Sequence, residues 1–178
     1  MKPIKLVLIA CVFLCAGNAL AQSADAQKDG AKDKDTDIAI IELGAAVGRS
    51  LTGGGSSFGG DIAVEVTPIE NWLELEAGVT PLFNRHSKEW DADLLFKKPW
   101  TLSRKAEFMA GVGPEWIHTS ESRVVTNSPG VEVVLDFMFW PSGKHRFGWF
   151  LEPGYDHSFG RGHEQSIGIS GGLLIAIP

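Results

Sequence analysis

The chain has 178 residues and a formal charge of −6, with 44% hydrophobic residues, 21 glycines and two cysteines. That apolar content supports one domain with a sizeable core and excludes a disordered chain or a disulfide-stapled miniprotein. The acidic balance argues against a nucleic-acid binder, which carries a basic stripe, and no apolar run of ~18 residues follows residue 20, so no helical membrane span is predicted.

Met1 to Ala21 places Lys2 and Lys5 before the apolar stretch Leu6 to Ala16, then Asn18-Ala19-Leu20-Ala21 ahead of Gln22. A charged start, an apolar middle and an A-x-A site predict a signal peptide over 1–21, cleaved near Gln22. Leu8-Ile9-Ala10-Cys11 resembles a lipoprotein box, but it would cut an apolar segment that Val12, Phe13 and Leu14 continue. Cys11 and Cys15 both leave with the signal. The mature chain is therefore expected to lack disulfides, thiolate catalysis and cysteine metal sites. Residues 22–37, rich in Asp, Lys and Ala, contain no large apolar side chain that could offset their ordering entropy. They are predicted to form a solvated periplasmic tail.

From Ile38 to Pro178 the hydrophobic pattern has period two, which predicts strands with alternating faces. Ile41, Leu43, Ala45 and Val47 oppose Glu42, Gly44, Ala46 and Gly48 in the first segment. Phe58, Ile62, Val64 and Val66 oppose Asp61, Ala63, Glu65 and Thr67 in the second. The third sets Leu73, Leu75, Ala77 and Val79 against Trp72, Glu74, Glu76 and Gly78; the fourth sets Trp90, Ala92, Leu94 and Phe96 against Asp91, Asp93 and Lys97. In the fifth, Ala106, Phe108, Ala110, Val112 and Trp116 oppose Lys105, Glu107, Gly111, Gly113 and Glu115. Val131, Val133, Leu135, Phe137 and Phe139 oppose Glu132, Val134, Asp136 and Met138 in the sixth. The seventh pairs Phe147, Trp149, Leu151 and Tyr155 with Gly148, Phe150, Glu152, Gly154 and Asp156; the eighth pairs Ile167, Ile169, Leu173, Ile175 and Ile177 with Ser166, Gly168, Ser170, Gly172 and Ala176.

Eight alternating segments of about ten residues predict an all-β, eight-stranded antiparallel up-and-down transmembrane barrel over 38–178. Residues 67–71, 98–103 and 141–145 read as tight or modest turns at one end. Residues 49–57, 84–87, 118–130 and 158–165 read as longer polar connectors at the other, outward end.

Alternation leaves open whether the apolar face points inward, as in a soluble lipocalin-like carrier, or outward to lipid. Glycine favours the second arrangement. Gly44, Gly48, Gly78, Gly111, Gly113, Gly148, Gly154, Gly168 and Gly172 sit mostly with the acids, where a narrow barrel interior needs small residues beside large ones. On a solvent face they would weaken strands without a packing return. Phe58, Trp90, Trp116, Phe139, Phe147 and Tyr155 lie on the apolar face, often near segment ends, as interfacial girdles do.

With these features, residues 38–178 resemble the small eight-stranded outer-membrane proteins of the OmpA/OmpX type. The resemblance implies a Gram-negative outer-membrane location, contact with outer-membrane lipid, delivery by periplasmic chaperones and insertion by the barrel-assembly machinery. The chain departs from that family in ending Leu173-Leu174-Ile175-Ala176-Ile177-Pro178, without the usual terminal aromatic.

The expected lumen-facing acids are Glu42, Asp61, Glu65, Glu74, Glu76, Asp91, Asp93, Glu107, Glu115, Glu132, Asp136, Glu152 and Asp156, against few cations, chiefly Lys97, Lys105 and Arg146. Desolvation and mutual repulsion penalise so many charges, so shared protons, basic partners or bound cations must compensate. Carboxylates suit Ca²⁺ or Mg²⁺, with Glu74, Glu76, Asp91 and Asp93 as metal candidates, although no EF-hand spacing is present. A hydrated structural network is the simpler expectation.

Residues 152–164 gather His157, Ser158 and Glu164 at the outer rim, groups from which an acyl hydrolase can be assembled. The cluster loosely resembles the outer-membrane lipid A deacylases, which implies His157, Ser158 and Glu164 as catalytic candidates. It departs from them because His157 and Ser158 are adjacent and would face opposite sides of a strand. Four of the histidines, His86, His118, His157 and His163, fall in the outer connectors, and Gly53-Gly54-Gly55 lacks the following Gly-Lys-Ser/Thr of a phosphate loop.

The expected function is thus a non-enzymatic envelope barrel with a packed acidic lumen and no cofactor. An acyl hydrolase and a soluble periplasmic carrier stand as the alternatives.

Overall fold

The computed structural model describes residues 39–178, apart from 86, 122–123, 143–145 and 161. The signal peptide and tail read from 1–37 lie outside the described residues. Every regular element among the described residues is a strand: β1 (Ala39–Ser50), β2 (Ser56–Ile69), β3 (Leu73–Phe83), β4 (Ser87–Ser103), β5 (Ala106–Glu121), β6 (Val124–Phe139), β7 (Phe147–Ser158) and β8 (Gln165–Ile177). Each pairs antiparallel with its sequence neighbour, and β1 pairs with β8 from Ala39↔Ile177 to Ser50↔Ser166, closing the barrel. Closure removes the unpaired strand edges that an open sheet would present.

The alternation expected from the pattern is the observed one. Leu43, Val47, Ile62, Leu94, Val112, Val133, Leu151 and Leu173 point outward and are exposed, whereas Glu42, Glu65, Glu76, Lys97, Asp136 and Phe150 point inward and are buried. Two aromatic rows bound this apolar exterior. Phe58, Phe83, Trp90, Trp116 and Tyr155 follow one another around the upper part, taken as the end that carries residues 51–55 and 159–164. At the lower end Trp100 stacks on Phe108 at 5.5 Å, Phe108 meets Phe137 at 5.0 Å, and Phe139 stacks on Trp149 at 4.1 Å. An apolar belt that encircles the molecule far exceeds the patches of a few hundred Å² that soluble monomers expose. It matches the lipid-facing band of a membrane barrel.

Glycine makes the interior possible. A Cβ at Gly111 would lie 2.8 Å from Cγ of Lys97, one at Gly148 would lie 2.8 Å from the Trp140 ring, and one at Gly44 would lie 3.0 Å from the Phe150 ring. Each small residue clears the space that its large neighbour fills. At Gly113 the constraint is backbone against backbone, since a Cβ there would sit 1.9 Å from the carbonyl oxygen of Leu94.

Two connector expectations are corrected. Residues 98–103 are strand, because β4 stays paired to β5 through Lys98↔Ala110 and Thr101↔Glu107, and the turn follows Ser103. Residues 118–121 and 124–130 are strand, not open loop. The ladder between β5 and β6 continues through His118↔Asn127 and Thr119↔Thr126 to Glu121↔Val124. The physical reason is the run Val124-Val125-Thr126, β-branched residues that favour extended pairing, so this hairpin projects as a ribbon. The predicted contrast of short and long connectors is correspondingly weaker.

The upper connection at 51–55 is tied down by hydrogen bonds. Ser50 N–H donates to the Gly55 carbonyl at 2.9 Å, and Gly54 takes the left-handed φ of 74° that this turn requires. Leu51 N–H donates to the Gln165 carbonyl at 2.7 Å, and Gln165 N–H donates to Thr52 Oγ1 at 3.1 Å, which joins the first upper loop to the start of β8.

Candidate functional site

The interior divides into two storeys. The lower is filled by Met109, Met138, Trp140, Phe150, Leu174 and Ala176, with Ile40 packed against them. The upper holds a cavity of about 700 Å³ that opens among Gly53, Gly55, Ser56, Asn84, Arg85, Ser87 and residues 164–166. The sequence predicts a packed acidic lumen; only the lower storey is packed, and it closes the cavity below.

The cavity wall is built by the inward positions of the strands. Asp61, Glu76, Glu89, Asp91, Asp93, Glu115, Glu132, Glu152 and Asp156 line it, joined near the mouth by Glu121 and Glu164, with Arg49 and Arg85 as the basic residues. Some carboxylates accept local hydroxyl donors. Thr80 donates to Asp61 at 3.0 Å, Ser166 to Asp156 at 2.9 Å and Thr119 to Glu89 at 3.1 Å. One oxygen each of Asp91, Asp93 and Glu115 is buried without a hydrogen-bond partner among the described residues.

Lys97 marks the boundary between the storeys. Its ammonium reaches from β4 across the barrel to Glu76 on β3, Asp136 on β6 and Glu152 on β7, the last two at 3.2 and 2.5 Å. The side chain is fully buried, as is that of Asp136. This three-carboxylate grip cross-links four strands through one cation. The other cations anticipated for the lumen do not enter it: Lys105 and Arg146 are exposed at the lower turns.

All thirteen acids expected to face the lumen occupy inward positions of the strands. Of the four metal candidates, Glu76 joins Glu42, Glu65 and Asp136 in a set whose carboxylate oxygens lie within 4.8 Å of one another. Glu74 is buried but outside that set, and Asp91 and Asp93 stand apart on the cavity wall. Glu89 was missed, although Glu89-x-Asp91-x-Asp93 simply extends the acidic alternation of β4 by one step. The apolar plug was half visible, since Met138 and Phe150 already stood on the polar face of their segments.

The candidate catalytic trio does not assemble. Ser158 faces inward, buried, and its Oγ accepts from Gly160 N–H at 3.2 Å. His157 faces the other side of β7, edge-on to the exposed Phe159 at 5.2 Å and stacked near His163 at 6.1 Å. Glu164 lines the cavity mouth. The adjacency that separated His157 from Ser158 in the sequence therefore separates them in space. His118 bonds Asn127 at 2.8 Å on the exterior, and His86 lies outside the described residues.

No protein-family model matches the sequence, and no curated protein matches it. Solved structures do share its fold. Neisserial surface protein A (NspA) superposes with a TM-score of 0.66 at 12% identity, over 77% of this chain and 96% of that one. The N-terminal β-barrel domain of Pseudomonas aeruginosa OprF matches with a TM-score of 0.51 at 14% identity, over 78% and 98%. Ail, the attachment invasion locus protein of Yersinia pestis, matches in complex with the heparin analogue sucrose octasulfate with a TM-score of 0.52 at 10% identity, over 77% and 97%. At these identities the likeness is one of fold: a closed eight-stranded barrel of the small outer-membrane kind.

Proposed function

We propose that this protein is a non-enzymatic outer-membrane barrel whose upper, cavity-bearing end faces outward and serves in contacts at the envelope surface. The observation that carries the proposal is the apolar belt around a polar interior, which has a solvent only in lipid. The turns at 70–72 and 104–105 and both described strand ends, Ala39 and Ile177, share the lower end, which supports a periplasmic position for it. A barrel plugged below and open above suits recognition better than conduction.

The fold neighbours include a surface protein and an attachment protein by name, which fits a surface role. Ligand chemistry need not follow them. The sucrose octasulfate bound to Ail is a polyanion, whereas carboxylates line the cavity here, so cationic groups are the complementary partners. Outer-membrane lipid, periplasmic chaperones and the barrel-assembly machinery are the partners this location implies. A soluble carrier would have to expose the belt to water. The hydrolase alternative lacks a converged nucleophile and base.

The predicted absence of cysteine from the mature chain permits a direct test. Single cysteines replace Gly55, in the upper loop, or Lys105, in a lower turn, in a Gram-negative host. The protein should fractionate with the outer membrane, Gly55→Cys should react with an impermeant maleimide on intact cells, and Lys105→Cys should react only after permeabilisation. A soluble periplasmic product, or the reverse labelling, would overturn the proposal.

A further inference from the structure

Glu42, Glu65, Glu76 and Asp136 come from four strands, and each brings one carboxylate oxygen to within 4.8 Å of the others. All are sealed from solvent, with Asp136 0%, Glu42 and Glu65 1% and Glu76 3% exposed. Lys97 serves one oxygen of Glu76 and one of Asp136. It leaves Oδ1 of Asp136, Oε1 of Glu42 and both oxygens of Glu65 buried without a donor among the described residues, and the group that approaches Glu65 is another carboxylate, that of Glu74.

A carboxylate withdrawn from water needs donors or a cation in place of its hydration. One ammonium held by Glu76, Asp136 and Glu152 has no fourth donor to spare for Glu42 and Glu65. The unserved oxygens therefore point to a missing positive group beside Lys97, at the level where the cavity gives way to the apolar plug.

We propose that Glu42, Glu65, Glu76 and Asp136 form a buried site for one divalent cation, with Ca²⁺ the best match. Oxygen ligands select hard cations. A spread of up to 4.8 Å admits Ca²⁺ at about 2.4 Å from each oxygen. Mg²⁺ keeps several waters, and a site sealed from solvent gives those waters little room. Glu76 and Asp136 can bridge, one oxygen on Lys97 and the other on the metal. Entry is from above, because Glu76 also lines the acidic cavity, whose wall raises the local cation concentration. The proposal concerns the folded barrel itself and does not depend on which membrane holds it.

The test is Ca²⁺ titration, by calorimetry and equilibrium dialysis, of barrel refolded in detergent and stripped with EDTA. One Ca²⁺ should bind per chain, Mg²⁺ should compete poorly, and Glu65→Gln should weaken binding by roughly tenfold or more. Asp91→Asn/Asp93→Asn, which alters only the cavity wall, should keep the stoichiometry at one. Heat-modifiable gel mobility checks folding, and Glu42→Gln replaces Glu65→Gln if that variant does not fold. Failure of the parent barrel to take up Ca²⁺ at neutral pH would mean that protons alone neutralise the cluster, and it would overturn the proposal. So would binding that survives Glu65→Gln and Glu42→Gln but is lost in the cavity-wall double variant, since the cation would then sit in the cavity.

Discussion

Lys97→Met is expected to destabilise the refolded barrel by about 3–5 kcal/mol, the cost of removing one partner from a buried ion cluster. The side chain is fully enclosed, and its ammonium is what Glu76, Asp136 and Glu152 share. Methionine fills similar volume, so the loss reads electrostatics more than a cavity. Lys88→Met, at an exposed position near the upper rim, should change stability by no more than about 0.5 kcal/mol. Denaturant unfolding in lipid vesicles, followed by tryptophan fluorescence and gel mobility, measures both. Combining Lys97→Met with Glu76→Gln should cost less than the sum of the single changes, because the second removes a charge that the first left unpaired. A Lys97→Met barrel as stable as the parent would show that the cluster does not rely on its lysine.

The second large effect tests the opposite face. Val112 lies outward on β5 between the aromatic residues Phe108 and Trp116, four positions from each, and is 49% exposed. Val112→Arg should cost about 2–4 kcal/mol in a bilayer, as an arginine near the midplane of a barrel exterior does. In a water-soluble barrel the same change on an exposed valine would be nearly neutral. The two environments thus predict different outcomes from one substitution, read by the same unfolding assay.

The faces were legible because a strand writes its orientation with period two, and Glu42-x-Gly44-x-Ala46 against Leu43-x-Ala45-x-Val47 needs no partner to be read. Glycine position added the direction of the interior, since Gly111 and Gly148 stood on the carboxylate face and clear space for Lys97 and Trp140. Strand ends were less legible. Lys98-Pro99 and Asn127-Ser128-Pro129-Gly130 look like turns locally, yet the neighbouring ladders keep both stretches extended. Least legible was the division of the interior. Glu42 and Asp136 are distant in sequence, and only the pairing of all eight strands decides that they meet. Nothing local marks Lys97, rather than Lys105 or Arg146, as the buried cation.

A membrane barrel requires the belt to face hydrocarbon, and spin-label accessibility measures that most directly. Labels placed one at a time at Ala106, Phe108, Ala110, Val112 and Trp116 of barrel refolded into lipid vesicles should show oxygen accessibility that peaks at Val112, with accessibility to a water-soluble nickel chelate lowest there. High nickel accessibility at Val112, equal to that at exposed Gly55, would contradict the membrane barrel and return the fold to water.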